Sequence, residues 1–179
     1  MSAARYRPGA VLFDLDGTLL DSKSYLTPET IKAIREAVAA GFIFTICTGR
    51  PIQGVEPLIE KIGLDLPFIT YNGAMIVMGK SRKILYAQTM RGEDVIPIYK
   101  LGKQLQTTVI LWVNNKCYAS LLGEHATRYA EPARIQPLPI DNLDDLVAPG
   151  VTKVIFYDTV EKIGHWAKTI GPHVPPTIN

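Results

Sequence analysis

Three observations predict that this sequence folds as an α/β protein. Short apolar runs end abruptly at polar residues, as buried parallel strands do where their carboxyl ends open into loops. A helical segment with its own start and stop signals lies between the first two runs. From about Ser81 the texture changes to alternating strands with proline-containing connections, which predicts a second, α+β unit. The expected organisation is a partial parallel-sheet core over residues 1–80 followed by an α+β domain over residues 81–179.

Taken in order, Ala10 to Phe13 is an apolar run that stops at Asp14 and reads as the first strand. Thr27 then supplies an N-cap and Pro28 the first helical position. Ile31, Ile34 and Val38 keep helical spacing until Gly41 ends the helix. Phe42 to Cys47 is the next strand, which closes a unit of the size of a right-handed βαβ crossover. Pro51 to Gly63 reads as a helix and Pro67 to Thr70 as a third strand. Beyond Ser81, Gly92 to Leu105 and Val160 to Ile170 have helical character, and Thr107 to Leu122 reads as a hairpin turning at Asn114-Asn115. Pro132 to Pro149, rich in proline and aspartate, reads as including loops. No internal repeat or low-complexity linker interrupts the chain.

With 179 residues, 47% of them hydrophobic, the chain can bury a genuine core and is not disordered throughout. Its net charge of +2 comes from interspersed Lys and Arg, so no basic stripe points to nucleic acid or to an anionic membrane. No apolar run reaches the roughly 18 residues that span a bilayer, and Met1 to Pro8 lacks the apolar core of a secretory signal. A soluble, cytoplasmic protein acting on a small substrate is the expectation. Cys47 and Cys117 have no metal-ligand spacing and are expected as reduced core residues. His125, His165 and His173 are widely separated, and Trp112 alternates with Leu111 and Val113 as a packing residue does.

The strongest chemical signal is Asp14-Leu15-Asp16-Gly17-Thr18, directly after an apolar strand. Two carboxylates at a strand end can gather Mg²⁺, and a carboxylate can attack phosphorus to form an aspartyl-phosphate. Gly17 lets the backbone leave the strand sharply. By itself an Asp-x-Asp pair reads equally well as a turn or an isolated ion site. The second signal is Thr48-Gly49-Arg50, also directly after an apolar strand: a hydroxyl, a backbone N–H and a forked cation, all suited to phosphate oxygens. Singly it reads as a helix cap beside a surface arginine. Parallel strands bring their carboxyl ends to one crevice, so Asp14, Asp16 and Thr48 are expected to face a single phosphate.

In this order, Val11-Leu12-Phe13-Asp14-Leu15-Asp16-Gly17-Thr18-Leu19-Leu20, Ile46-Cys47-Thr48-Gly49-Arg50-Pro51 and Tyr71-Asn72-Gly73-Ala74 resemble the Cof-type branch of the haloacid dehalogenase-like phosphatases. The resemblance runs along the whole chain. It implies a partial Rossmann-like core with an α/β cap domain that selects the substrate. It also implies Asp14 as nucleophile, Asp16 as general acid/base, and Thr48 with Gly49 at the phosphoryl group. Mg²⁺ would be held by Asp14 and by the main-chain carbonyl of Asp16, with Arg50 and Asn72 near the substrate. Asn72-Gly73 reads first as a turn. Asp21 lines the same mouth or caps a loop, and carries no assigned role.

The resemblance has one departure. Members of that family continue past this length to supply a Lys beside the phosphoaspartate and a further acidic metal ligand, and neither is identifiable here. Lys153 lies in a strand-like segment and reads as a solvent-facing edge lysine. The parallel sheet is therefore expected to show uncovered apolar edges, met by a longer chain, by a shortened form, or by a homo-oligomer covering the incomplete core. The functional expectation is a Mg²⁺-dependent phosphomonoester hydrolase of a small phosphorylated metabolite such as a sugar phosphate. The alternative is a non-catalytic fragment or pseudo-enzyme that keeps the pocket.

Overall fold

The computed structural model describes residues 9–170, so Met1 to Pro8 and His173, both weighed above, and the last residues of the unit expected over 81–179 lie outside the described residues. The chain forms two compact units, one up to Ala87 and one from Gln88. The first is built on a five-stranded sheet in the order β1-β2-β3-β4-β5. β1 (Ala10–Asp14), β2 (Ile43–Cys47) and β3 (Pro67–Thr70) are parallel neighbours; β4 (Met75–Met78) and β5 (Ile84–Ala87) continue antiparallel. β5, beyond the expected boundary, thus belongs to the first sheet. Met78 N–H donates to the Lys83 carbonyl at 2.9 Å and closes the β4–β5 turn.

α1 (Pro28–Ala39) starts as the sequence predicts, with Thr27 Oγ1 accepting from Thr30 N–H at 3.2 Å. The stretch after Pro51 begins as a 3₁₀ turn (Ile52–Val55) and becomes α2 (Glu56–Ile62), which ends on Gly63 at φ +77°. The two helices lie side by side, because Arg35 Nε donates to the Ile62 carbonyl at 2.9 Å and its Nη2 to that of Lys61 at 3.0 Å. Right-handed crossovers running the same way place such helices on one face of the sheet. Phe44, Ile46, Phe68, Met75 and Val77, at alternate positions, are buried on that face. On the opposite face and along the β1 edge, Leu12 (56% exposed) and Ile43 (59%) stay open, as expected for a parallel edge with no further strand among the described residues.

The second unit has a four-stranded sheet in the order β8-β7-β6-β9. β6 (Thr108–Val113) and β7 (Lys116–Ala119) form the predicted hairpin, and both turn residues, Asn114 and Asn115, have positive φ, the pattern of a tight primed turn. α3 (Gly92–Gln104) and α5 (Leu143–Val147) cover one face around Val95, Val109, Leu111, Val113, Val147 and Val151. α4 (Glu124–Ala130) packs against β6 and β9. β8 (Leu138–Pro139) and α5 lie within the stretch read as including loops. α5 forms because the Asn142 side chain accepts from the N–H groups of Asp144 and Asp145. α6 (Val160–Thr169) begins where predicted, with Thr159 as its cap. No helix among the described residues is long and apolar enough to cross a membrane.

Trp112 is 1% exposed and its Nε1 donates to Tyr129 Oη at 2.9 Å, a packing role as expected. Lys153 departs from expectation. It lies on β9 (Lys153–Tyr157), an edge strand, yet it is half-buried in register with Trp112, and burial lowers its pKa. Burial likewise pushes the Tyr129 phenol up to about 12 and the Cys117 thiol up to about 12. The folded state thus favours the protonated forms of both. Their stabilisation is complete below the unfolded pKa values, about 8.5 for Cys and 10 for Tyr, and is lost as pH climbs from there towards 12. Both tryptophans, Trp112 and Trp166, lie in this unit, so their emission reports its melting. Its melting temperature is expected to fall steadily between about pH 9 and pH 11.5, and more shallowly in Tyr129→Phe; an equal fall in both proteins would remove Tyr129 as a cause.

Candidate active site

Each predicted site residue lies at one end of the sheet in the first unit. Asp14 is the last residue of β1, exposed and in parallel register with Cys47, the last residue of β2. The chain then leaves β1 through Leu15 to Leu19. Leu15 is buried, Gly17 has φ +78°, and the Leu20 N–H donates back to the Leu15 carbonyl at 3.1 Å. A Cβ on Gly17 would meet nothing within 4 Å, so glycine is needed there for its left-handed backbone rather than for close packing within the chain. Asp16, on this loop, is exposed.

Thr48 follows β2 and is buried. Its N–H donates to the Ile69 carbonyl at 2.9 Å, and its Oγ1 accepts from Arg50 N–H at 3.2 Å, which leaves the hydroxyl proton able to donate elsewhere. Two further backbone bonds clasp this loop to the one after β3. Asn72 N–H donates to the Thr48 carbonyl and Tyr71 N–H to that of Arg50, both at 3.1 Å. Asn72, at φ +57°, with Gly73 at φ +100°, belongs to a connection of Tyr71 to Ala74 between the antiparallel β3 and β4. The stretch is a turn, as first read, but longer than two residues, and it is docked on Thr48.

Arg50 reaches across to Asp16 with a forked pair, Nε to Oδ2 at 3.0 Å and Nη2 to Oδ1 at 2.5 Å. Its third nitrogen, Nη1, donates to the Gly54 carbonyl at 3.3 Å. The arginine expected beside the substrate is thus bound to the second acid. Gly54 was not singled out in the sequence, although it stands one helical turn after Arg50.

Cys47 is a half-buried free thiol. Burial, and secondarily the charge of Asp14, push its pKa up, so it stays protonated at neutral pH and offers no soft thiolate ligand beside Asp14. What remains for a metal is oxygen: the Asp14 carboxylate and the main-chain carbonyl of Asp16, the hard donors that suit Mg²⁺, which keeps several waters. Among the described residues no group of three or more His, Cys, Asp or Glu gathers that could hold a metal. Asp21 Oδ1 accepts from Lys23 N–H at 2.9 Å and Tyr25 N–H at 2.8 Å, so it caps a loop. His125 packs edge-on to Tyr157 in the second unit, and His165 is exposed on α6.

Comparison with known proteins adds the following. The family model described as haloacid dehalogenase-like hydrolase matches residues 11–179. A candidate phosphatase from Mycoplasma pneumoniae is 32% identical over 160 residues, which cover 82% of this chain and 57% of that protein. The pyridoxal phosphate phosphatase YbhA of Escherichia coli is 28% identical over 117 residues, 65% of this chain and 42% of its own. Among solved structures, a haloacid dehalogenase-like hydrolase from Bacteroides thetaiotaomicron superposes with a TM-score of 0.81 over 97% of this chain and 66% of that one, at 17% identity. The chain spans less than two thirds of the length of the curated relatives it matches.

Proposed function

Since the chain belongs to the haloacid dehalogenase-like hydrolases, we propose that it is a phosphomonoester hydrolase working through an aspartyl-phosphate on Asp14. The observation that carries this reading is the register of β1 with β2, which sets an exposed carboxylate beside the strand end that leads into Thr48. Asp14 attacks phosphorus in line as the ester oxygen leaves. Asp16 protonates that oxygen and then takes a proton from the water that hydrolyses the aspartyl-phosphate. The Thr48 hydroxyl and the Gly49 backbone hold the phosphoryl oxygens, and Asn72, at the mouth, meets the remainder of the substrate. Mg²⁺, held by Asp14 and the Asp16 carbonyl, supplies neutralisation of phosphate charge when bound. The substrate class is a small phosphorylated metabolite such as a sugar phosphate; the relatives' phosphatase names support this at the level of class.

The test is phosphate release from p-nitrophenyl phosphate by the purified chain at neutral pH, with Mg²⁺ and with a chelator. Release with the metal and loss on chelation are expected, and metal-independent release would exclude the reading. A second reading, a phosphate-binding unit without turnover, is favoured by the lack of a third metal-binding side chain beside Asp14 and Asp16 among the described residues. Under that reading inorganic phosphate shifts the Thr48 and Gly49 amide resonances while no ester is cleaved.

A further inference from the structure

We infer that Arg50 is a positioning residue for Asp16 rather than a ligand of phosphate, and that Gly54 is the seat that holds it in that role. The inference rests on the reading of Asp16 as acid/base. A guanidinium offers five N–H donors in a rigid fork, and a phosphate would be recognised by its paired Nε and Nη edge. In Arg50 that edge is spent on the two oxygens of Asp16. The opposite edge is spent in part on the Gly54 carbonyl. The backbone is fixed as well, by Arg50 N–H on Thr48 Oγ1 and Tyr71 N–H on the Arg50 carbonyl. The ion pair is not a loose surface contact, because the Arg50 side chain is only 27% exposed while that of Asp16 is 54% exposed. The less exposed partner therefore orients the open one.

Gly54 explains how the arginine lies so low. A Cβ on Gly54 would stand 3.3 Å from Arg50 Cβ, so the arginine stem would have to give by a few tenths of an ångström, and 3.5 Å from its Cδ, an ordinary contact; a larger, branched side chain crowds the stem further. Both Asp16 oxygens accept from the one guanidinium, so the fork fixes the plane of the carboxylate as well as its position.

Arg50→Lys keeps the charge but offers a point instead of a fork. It is expected to lower kcat about tenfold, with KM within twofold, because a group that orients the acid acts in the transition state and not in ground-state binding. Gly54→Val, which leaves Arg50 in the chain but crowds its seat, is expected to give the same split. A rise in KM at constant kcat for Arg50→Lys would overturn the proposal, since that is the signature of a lost phosphate contact. A second readout needs no turnover. In the ¹⁵N-arginine-labelled chain, the Arg50 Nε–H is expected to exchange slowly, to hold its resonance when inorganic phosphate and Mg²⁺ are added, and to be lost in Asp16→Ala and Gly54→Val. Phosphate that moves this resonance together with the Thr48 and Gly49 amides would make Arg50 a ligand. If no ester is cleaved, the hydrolase reading fails for this chain, and the Nε–H response to Asp16→Ala and Gly54→Val still decides whether the seat exists.

Discussion

Asp14→Asn is expected to cut Mg²⁺-dependent phosphate release by at least about 10³-fold, because it removes the nucleophile and with it the covalent route. The fold should not notice. Asp14 is exposed at the end of β1, and no hydrogen bond or ion pair to a described residue depends on its carboxylate. Asn has nearly the same shape, so the melting temperature should stay within about one degree of the parent. One physical consequence reports that the charge has gone from the intended place. The Asp14 charge contributes, after burial, to keeping the Cys47 thiol protonated. Its removal should let Cys47 react faster with a small alkylating agent near pH 8, while Cys117, buried and held up at about 12, stays silent. An Asp14→Asn protein with faster Cys47 alkylation, an unchanged melt and undiminished turnover would place the nucleophile elsewhere.

Why was so much of the first unit legible in the sequence? In a parallel sheet the strand sequences are runs buried on at least one face, and crossover helices carry caps that obey local chemistry. Thr27 with Pro28, and Gly63 at φ +77°, are such signals, and the elements they bound lie where they predict. β4 and β5 were not legible. Their residues run Met75 to Met78 and Ile84 to Ala87 with no polar alternation, and β5 is exposed at every position, so nothing in the pattern ties it to the first sheet. In the second unit α4 has only Ala126 and Ala130 buried, and β8 is two residues ending in a proline, which edge position alone permits. The Asn142 cap of α5 was readable, and the surrounding prolines masked it.

The site was legible in its residues but not in its wiring. Spacing after each strand put Asp14, Asp16, Thr48, Gly49 and Arg50 at one sheet end, and the parallel register of β1 with β2 brings those strand ends together. The partner of Arg50 is Asp16, which stands 34 residues before it, and a side chain that long reaches many places from one backbone position. Nor does the sequence reveal that the loop after β3 hangs on the Thr48 and Arg50 carbonyls, because backbone groups carry no sequence signature.

Gly102 carries the largest expected effect on stability. It faces inward from α3, and a Cβ there would stand 2.3 Å from Val109 Cγ2 and 2.9 Å from Phe156 Cε1. Two terms oppose each other in Gly102→Ala. Helix propensity gains about 1 kcal/mol when glycine is replaced inside a helix. Overpacking a well-filled core costs about 1–3 kcal/mol, and an overlap this deep falls at the upper end. Val109 is fully buried on β6 and, being β-branched, cannot swing aside cheaply, so the clash wins and Gly102→Ala is net destabilising by about 1–2 kcal/mol. Gly102→Val adds two more methyl groups and loses the propensity gain, since β-branched residues are poorer helix formers. It should abolish the cooperative tryptophan melt of the second unit. The first unit contains no tryptophan, and the slow exchange of its β2 amides should persist if it folds on its own contacts. A Gly102→Val chain with parental tryptophan emission and an unshifted melt would mean that the second unit can open α3 from β6 at little cost, and that the packing of Val109 against α3 is not what holds it together.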